Sequence, residues 1–196
     1  MSGRRSVLVV GFGSGPLQAN CYLLAEAAGK PCVVVDPGQE VAVPLAAALA
    51  EHRLVPAALV ATHGHPDHVA SAASLSAAHG VPLHLHPADA SLYDGESVPL
   101  EAGTQGFAGL DVDVRPAPGH TPGSVVLALE TAEGGRLALT GDTLFAGSVG
   151  RGDVEASLRD LLAGFPDDTV VLPGHGPATT IGRERAGNPF LAGTGA

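Results

Sequence analysis

Residues 62–68 read T-H-G-H-P-D-H. Three of the chain's nine histidines and one aspartate fall in this single loop. Each of these side chains can bind a divalent cation through an imidazole nitrogen or a carboxylate oxygen. The segment follows an apolar run at 57–61 and precedes a stretch at 66–79 that reads as helix. Pro66 opens that helix and Gly80 ends it. In extended chain His63 and His65 are two residues apart, so both side chains leave the same face. They can meet one ion. Asp67 and His68 fall in the first helical turn and aim elsewhere, which invites a second ion. The positive end of the helix also favours an ionised Asp67.

This loop alone does not fill two coordination shells. Three more candidates lie downstream, each after an apolar strand-like run and each bracketed by glycine or proline. His120 lies in A-P-G-H-T-P-G, Asp142 in L-T-G-D-T-L-F and His175 in L-P-G-H-G-P. Small residues let such loops turn sharply and bring backbone near a shared centre. His63, His65 and His120 can serve a first ion. Asp67, His68 and His175 can serve a second, and Asp142 can bridge the two. A set of imidazoles and carboxylates suits two ions of intermediate hardness. Zinc is the first expectation, with iron and manganese as alternatives. Paired hydrolytic ions typically sit roughly 3.5–4 Å apart.

The rest of the chain fits a layered α/β fold. Strands are expected at 6–12, 20–25 and 32–36, reading as a meander. A helix is expected at 41–52 with Pro44 in its first turn, followed by the strand at 57–61. Further strands are expected at 82–86, 111–115, 124–130, 136–140 and 168–172. Val154, Leu158, Leu161 and Leu162 mark one face of a helix at 154–163. This order suggests an αββα sandwich: two mixed sheets face to face, with helices outside. No low-complexity linker divides the chain, so a single domain over 1–196 is expected. The closing A-G-T-G-A is expected to be mobile.

Composition narrows the function classes. Of the 196 residues, 45% are hydrophobic and 15% charged, as in folded globular proteins. Aromatics amount to 4%, which leaves few rings to stack on nucleobases. The formal charge of −10 disfavours nucleic acids and anionic membranes as partners. Cys21 and Cys32 both fall in strand-like runs and read as buried free thiols, in keeping with a reducing compartment. The apolar run after Arg4 and Arg5 is too short for an export signal or a membrane span. A cytoplasmic location is the expectation.

Together these segments resemble the metallo-β-lactamase fold superfamily. The resemblance rests on T-H-G-H-P-D-H, then P-G-H-T-P-G-S at 118–124, G-D-T-L-F at 141–145 and P-G-H-G-P at 173–177. N-C-Y-L-L at 20–24 and V-V-D-P-G at 34–38 add to it. It runs from about residue 6 to Phe190 and implies the αββα fold and the ligand set given above. G-D-T-L-F-A-G-S-V-G-R at 141–151 and G-R-E-R-A-G-N-P-F at 182–190 are more narrowly similar to glyoxalase II-like hydrolases. That likeness implies hydrolysis of a small-molecule thioester, with Asp67 as ligand and orienting base. It also implies Arg151 as an anchor for a carboxylate of the thiol carrier. Asp153 stands two positions after Arg151, where glyoxalase II has an aromatic residue. No helical domain of the kind with which glyoxalase II grips glutathione is expected after the last ligand block, so the carrier is left open.

Other readings of the same residues are weighed beside these. Persulfide dioxygenases share the resemblance but use one iron, for which His63, His120 and Asp142 would be the ligands. A non-catalytic metal module would close its shell without water. His52, His79, His84 and His86 read as packed or exposed residues. G-F-G-S-G at 11–15 lacks the third glycine of a dinucleotide loop and reads as a turn. Arg183, Glu184 and Arg185 read as an exposed, charge-paired stretch.

Overall fold

The computed structural model describes residues 6–191; the A-G-T-G-A segment at 192–196 lies outside the described residues. Two six-stranded sheets form the centre. The first begins with β1 (Leu8–Ser14), β2 (Ala19–Ala25) and β3 (Pro31–Val35), an antiparallel meander. Helix α1 (Ala42–His52) then crosses over to β4 (Val55–Val60), which runs parallel to β3. Short helices α2 (Pro66–Val69) and α3 (Ala72–His79) lead to β5 (Leu83–Leu85). A 3₁₀ turn (Pro87–Leu92) leads on to β6 (Ser97–Pro99), and both strands continue the parallel pairing.

The second sheet starts with β7 (Gly103–Phe107), β8 (Leu110–Pro116), β9 (Val125–Glu130) and β10 (Arg136–Gly141), each antiparallel to the next. A two-stranded ribbon, β11 (Leu144–Phe145) and β12 (Ser148–Val149), follows. Helix α4 (Glu155–Gly164) carries the chain to β13 (Val170–Pro173), parallel to β10. Then β14 (Thr179–Thr180) and α5 (Ile181–Gly187) close the order.

Strand alternation explains the layering. Along β2 and β3, Leu23, Cys32 and Val34 face one side, while Leu24, Val33 and Val35 face the other. The first set packs with Leu45 of α1 and Ala72 and Leu75 of α3. The second meets Val112, Val114, Leu127 and Leu139 of the other sheet. On that sheet Val126, Ala128 and Ala138 turn outward against Leu158, Leu161 and Leu162 of α4 and Ile181 of α5. Strands covered on both faces read as continuous apolar runs, as these do. Each fully buried leucine contributes about 1.5–3 kcal/mol over its exposed state. The four layers are thus helix, sheet, sheet, helix, as the sequence predicts. The family resemblance and the residue pattern agree on this architecture. Cys21 and Cys32 are buried free thiols. Among the described residues, no helix is long and apolar enough to cross a membrane.

Two expectations are corrected. The helix expected over 66–79 is broken at Ala70–Ser71. The Ser71 N–H bonds to the Pro37 carbonyl at 3.0 Å and its hydroxyl to the Gly38 carbonyl at 2.6 Å, which diverts the chain before α3 begins. The stretch 183–185 is not uniformly exposed. Glu184 is buried within α5, where its carboxylate accepts from the Gly147 N–H, the Thr179 hydroxyl and the Asn188 amide. Arg185 pairs with Asp167.

Candidate metal centre

Strand direction places the candidate ligands on one edge. β3 and β4 run parallel, as do β10 and β13, and β8 shares β10's direction across the intervening antiparallel β9. The loops after β4, β8, β10 and β13 carry His63 to His68, His120, Asp142 and His175 respectively. All therefore leave the carboxyl ends of strands at the same side of the sandwich. The seven candidates span more than half the chain, yet they meet there.

Three triads can be drawn, in each of which the ligand atoms lie within 4.8 Å of one another: His63, His65, His120; His63, His68, Asp142; and Asp67, His68, His175. His65 Nδ1 lies 3.1 Å from His63 Nε2 and 3.0 Å from His120 Nε2. His175 Nε2 lies 3.2 Å from Asp67 Oδ2 and 3.4 Å from His68 Nε2. Asp142 sits between the outer triads. Its Oδ1 is 3.4 Å from His68 Nε2, and its Oδ2 is 3.5 Å from His120 Nε2 and 3.6 Å from His175 Nε2.

The hydrogen bonds on the far side of each ring fix what faces the centre. The Thr62 hydroxyl gives its single proton to Asp36 Oδ2 at 2.8 Å, so it accepts from His63 Nδ1–H at 3.2 Å. His68 Nδ1 donates to Asp36 Oδ2 at 3.0 Å. His120 Nδ1 donates to the Arg151 carbonyl and His175 Nδ1 to the Leu17 carbonyl, each at 3.1 Å. When a ring is neutral, its opposite nitrogen therefore turns a lone pair inward. Such outer partners are what orient imidazoles that bind metal. Lone pairs and carboxylate oxygens converge, and among the described residues no hydrogen bond reaches the buried Oδ1 of Asp142. A buried acceptor without a donor is costly. Divalent cations satisfy this donor set.

Electrostatics divide the cluster into two halves. Burial, and then the neighbouring imidazoles of His68, His120 and others, hold His63 well below the usual imidazole range. Burial and then His120 lower His65 likewise. His63 and His65 thus favour the neutral form. The other half attracts positive charge. Burial opposes the charged form of His68, but Asp36, Asp142 and Asp67 together push it up to about 9. The Asp67 hydrogen bond raises His175. The same bond holds Asp67 at about 2 despite burial. Burial raises Asp142.

Arg151 stands apart from the ligands. Its side chain is exposed and makes no ion pair with Asp153, while its carbonyl holds His120 at the rim. His84 and His86 are in none of the triads. His84 packs edge-on to Phe107, with ring centroids 4.9 Å apart, and His86 Nδ1 accepts from the Ala88 N–H.

Two acids near the cluster escape the sequence reading. Asp36, buried and at a positive φ of 54°, accepts from the Thr62 N–H, the Thr62 hydroxyl and His68. Its signal was an acid ending a valine strand before Pro-Gly. Asp89, wholly buried in the 3₁₀ turn, has no comparable signal in H-P-A-D-A.

Residues 14–175 match the metallo-beta-lactamase superfamily. The chain is 39% identical over 228 residues to Rv2581c of Mycobacterium tuberculosis, covering 95% of this chain and 99% of that protein. It is 34% identical over 204 residues to hydroxyacylglutathione hydrolase GloC of Haemophilus influenzae, covering 89% and 93%. Among solved structures it is similar to TTHA1623 in a di-iron-bound form, with TM-score 0.79 and 38% identity over 93% of this chain and 100% of that one. It is also similar to ETHE1 of Myxococcus xanthus, with TM-score 0.79 and 26% identity over 95% and 85%. Sequence match, layered fold and converged histidine–aspartate cluster agree: the chain belongs to the metallo-β-lactamase superfamily.

Proposed function

We propose that this protein is a dinuclear metal-dependent thioesterase, similar to glyoxalase II, that cleaves a small acyl-thiol ester. The observation that carries this reading is the pair of outer triads flanking Asp142, whose two oxygens face both. The likeness to the Haemophilus hydrolase supports it. His63, His65 and His120 would hold one ion and Asp67, His68 and His175 the other, with Asp142 available to both. Zinc is the first choice for this donor set. Iron follows closely, since the similar TTHA1623 is known in a di-iron form; manganese is a third option.

A pair of divalent ions, when bound there, would supply a hydroxide near neutral pH and Lewis-acid polarisation of the acyl carbonyl. Asp67, whose carboxylate faces the centre 3.2 Å from His175 Nε2, would accept the hydrogen bond that orients the attacking oxygen. A thiolate leaving group needs little protonation, because a thiol's reference pKa is about 8.5. Arg151, exposed at the rim, meets a carboxylate on the thiol carrier. The proposed setting is the cytoplasm, with a small-molecule substrate and neither nucleic acid nor membrane as partner.

The test is Asp142→Ala. Bound metal and thioester turnover should fall together, by more than the roughly 100-fold that changes to outer partners cost. Full activity in a metal-free variant would end the proposal. One iron per chain with oxygen consumption on a thiol persulfide would replace it with a dioxygenase. Loss of the fold on chelation, with no thioester turnover, would make it a structural metal module.

A further inference from the structure

Asp89 is a buried carboxylate with no basic partner among the described ion pairs. Three donors satisfy it instead. Its Oδ2 accepts from the Gly64 N–H at 2.9 Å and from the Thr121 hydroxyl at 2.6 Å. Its Oδ1 accepts from the Gly123 N–H at 2.7 Å. Gly64 lies between His63 and His65, and Thr121 follows His120. The donors thus come from two loops on different sheets, and those loops carry all three members of one triad. Both glycines are shaped around the acid. A Cβ on Gly123 would meet Asp89 Cγ at 2.6 Å, and one on Gly64 would meet the Asp89 carbonyl at 3.0 Å.

A charge buried without a cation survives only if its hydrogen bonds are complete. All three here go to the loops at 62–65 and 119–123, so both carboxylate oxygens are turned to those loops. It belongs to none of the triads. The same two loops are tied once more at their base, where the Val125 N–H meets the Thr62 carbonyl at 2.9 Å. Losing Asp89 would leave the sheets joined and free only the loop tips.

We propose that Asp89 is the positioning residue of the His63, His65, His120 triad: its carboxylate clips the two loops together and so sets the spacing of His63 and His65 from His120. The Asp67, His68, His175 triad is held instead through Asp36 and the Leu17 carbonyl, and does not depend on it. This inference rests on the proposed two-ion function.

The experiment is zinc titration calorimetry, with elemental analysis, on the full chain stripped of metal. Wild type, Asp89→Asn, Thr121→Val and His175→Ala are compared. In Asp89→Asn an amide N–H₂ replaces one acceptor and faces a donor. The expected result is an affinity loss of about 10- to 100-fold at one site, with the other unchanged. Adding His175→Ala should remove the remaining tight site. Thr121→Val, which deletes one donor and keeps the acid, should weaken the same site by about tenfold, and it keeps the question answerable if Asp89→Asn does not fold. A general packing defect would weaken both sites and lower the melting temperature of the metal-free protein instead. Two unaltered sites in Asp89→Asn or in Thr121→Val, or equal losses at both sites, would overturn the assignment. A wild type that fails to bind two ions would sink the two-ion reading itself, a separate result visible before any variant is made.

Discussion

Asp36 Oδ2 lies 3.0 Å from His68 Nδ1, and both side chains are almost fully buried. One acid at the end of β3 thereby fixes a ring on α2, while its other contacts hold the Thr62 backbone and hydroxyl. The pH behaviour of the site follows from this pair.

The folded pKa of His68 is raised from 6.5 to about 9. In the metal-free protein the pair stabilises fully below about pH 6.5, and that contribution is lost as pH rises through about 9. Metal binding has the opposite sign, because an ion must displace the proton on Nε2. Zinc affinity should rise across this window. Asp36→Asn should flatten the rise and lower affinity about 10- to 100-fold. Calorimetric titration in buffers spanning the window checks both.

Gly174 leaves no room for a side chain. A Cβ there would press on Asp142 Oδ1 and come within 2.9 Å of His68 Cε1 and 3.0 Å of the Gly141 carbonyl carbon. Gly174→Ala should displace Asp142 and cut bound metal, with turnover falling at least about tenfold. Metal content measured beside kcat tests this. Normal content with normal kcat would show that the loop yields.

Glu184 secures the ribbon that follows Asp142, through the Gly147 N–H at 2.8 Å. Glu184→Ala leaves buried donors unsatisfied, which costs about 1–3 kcal/mol. Urea unfolding should register that loss.

Arg151→Ala should raise KM about fivefold for a thioester whose carrier bears a carboxylate, as expected for an exposed ion pair of about 1 kcal/mol. It should leave kcat unchanged, and leave a carrier without a carboxylate unaffected. Steady-state kinetics on the two substrates separates these outcomes.

Much of this was readable beforehand because the driving patterns are local. Apolar runs such as Val33 to Val35 and Val125 to Leu129 are buried on both faces, and their lengths set the layers. The His120, Asp142 and His175 loops carry glycine and proline that announce turns. What escaped depends on distant contacts. The break at Ser71 comes from carbonyls at Pro37 and Gly38. β7, G-T-Q-G-F, shows no alternation because only Phe107 is buried. Asp89 lies inside because donors from Gly64, Thr121 and Gly123 meet it, and Glu184 because the Gly147 N–H joins its near neighbours Thr179 and Asn188.

The most direct test is elemental analysis of the protein purified without added metal, paired with hydrolysis of a panel of thioesters. The account predicts two divalent ions per chain and release of free thiol that stops on chelation and returns with zinc or iron. A chain that hydrolyses thioesters equally well with its metal stripped, or that carries two ions and cleaves none, would contradict it.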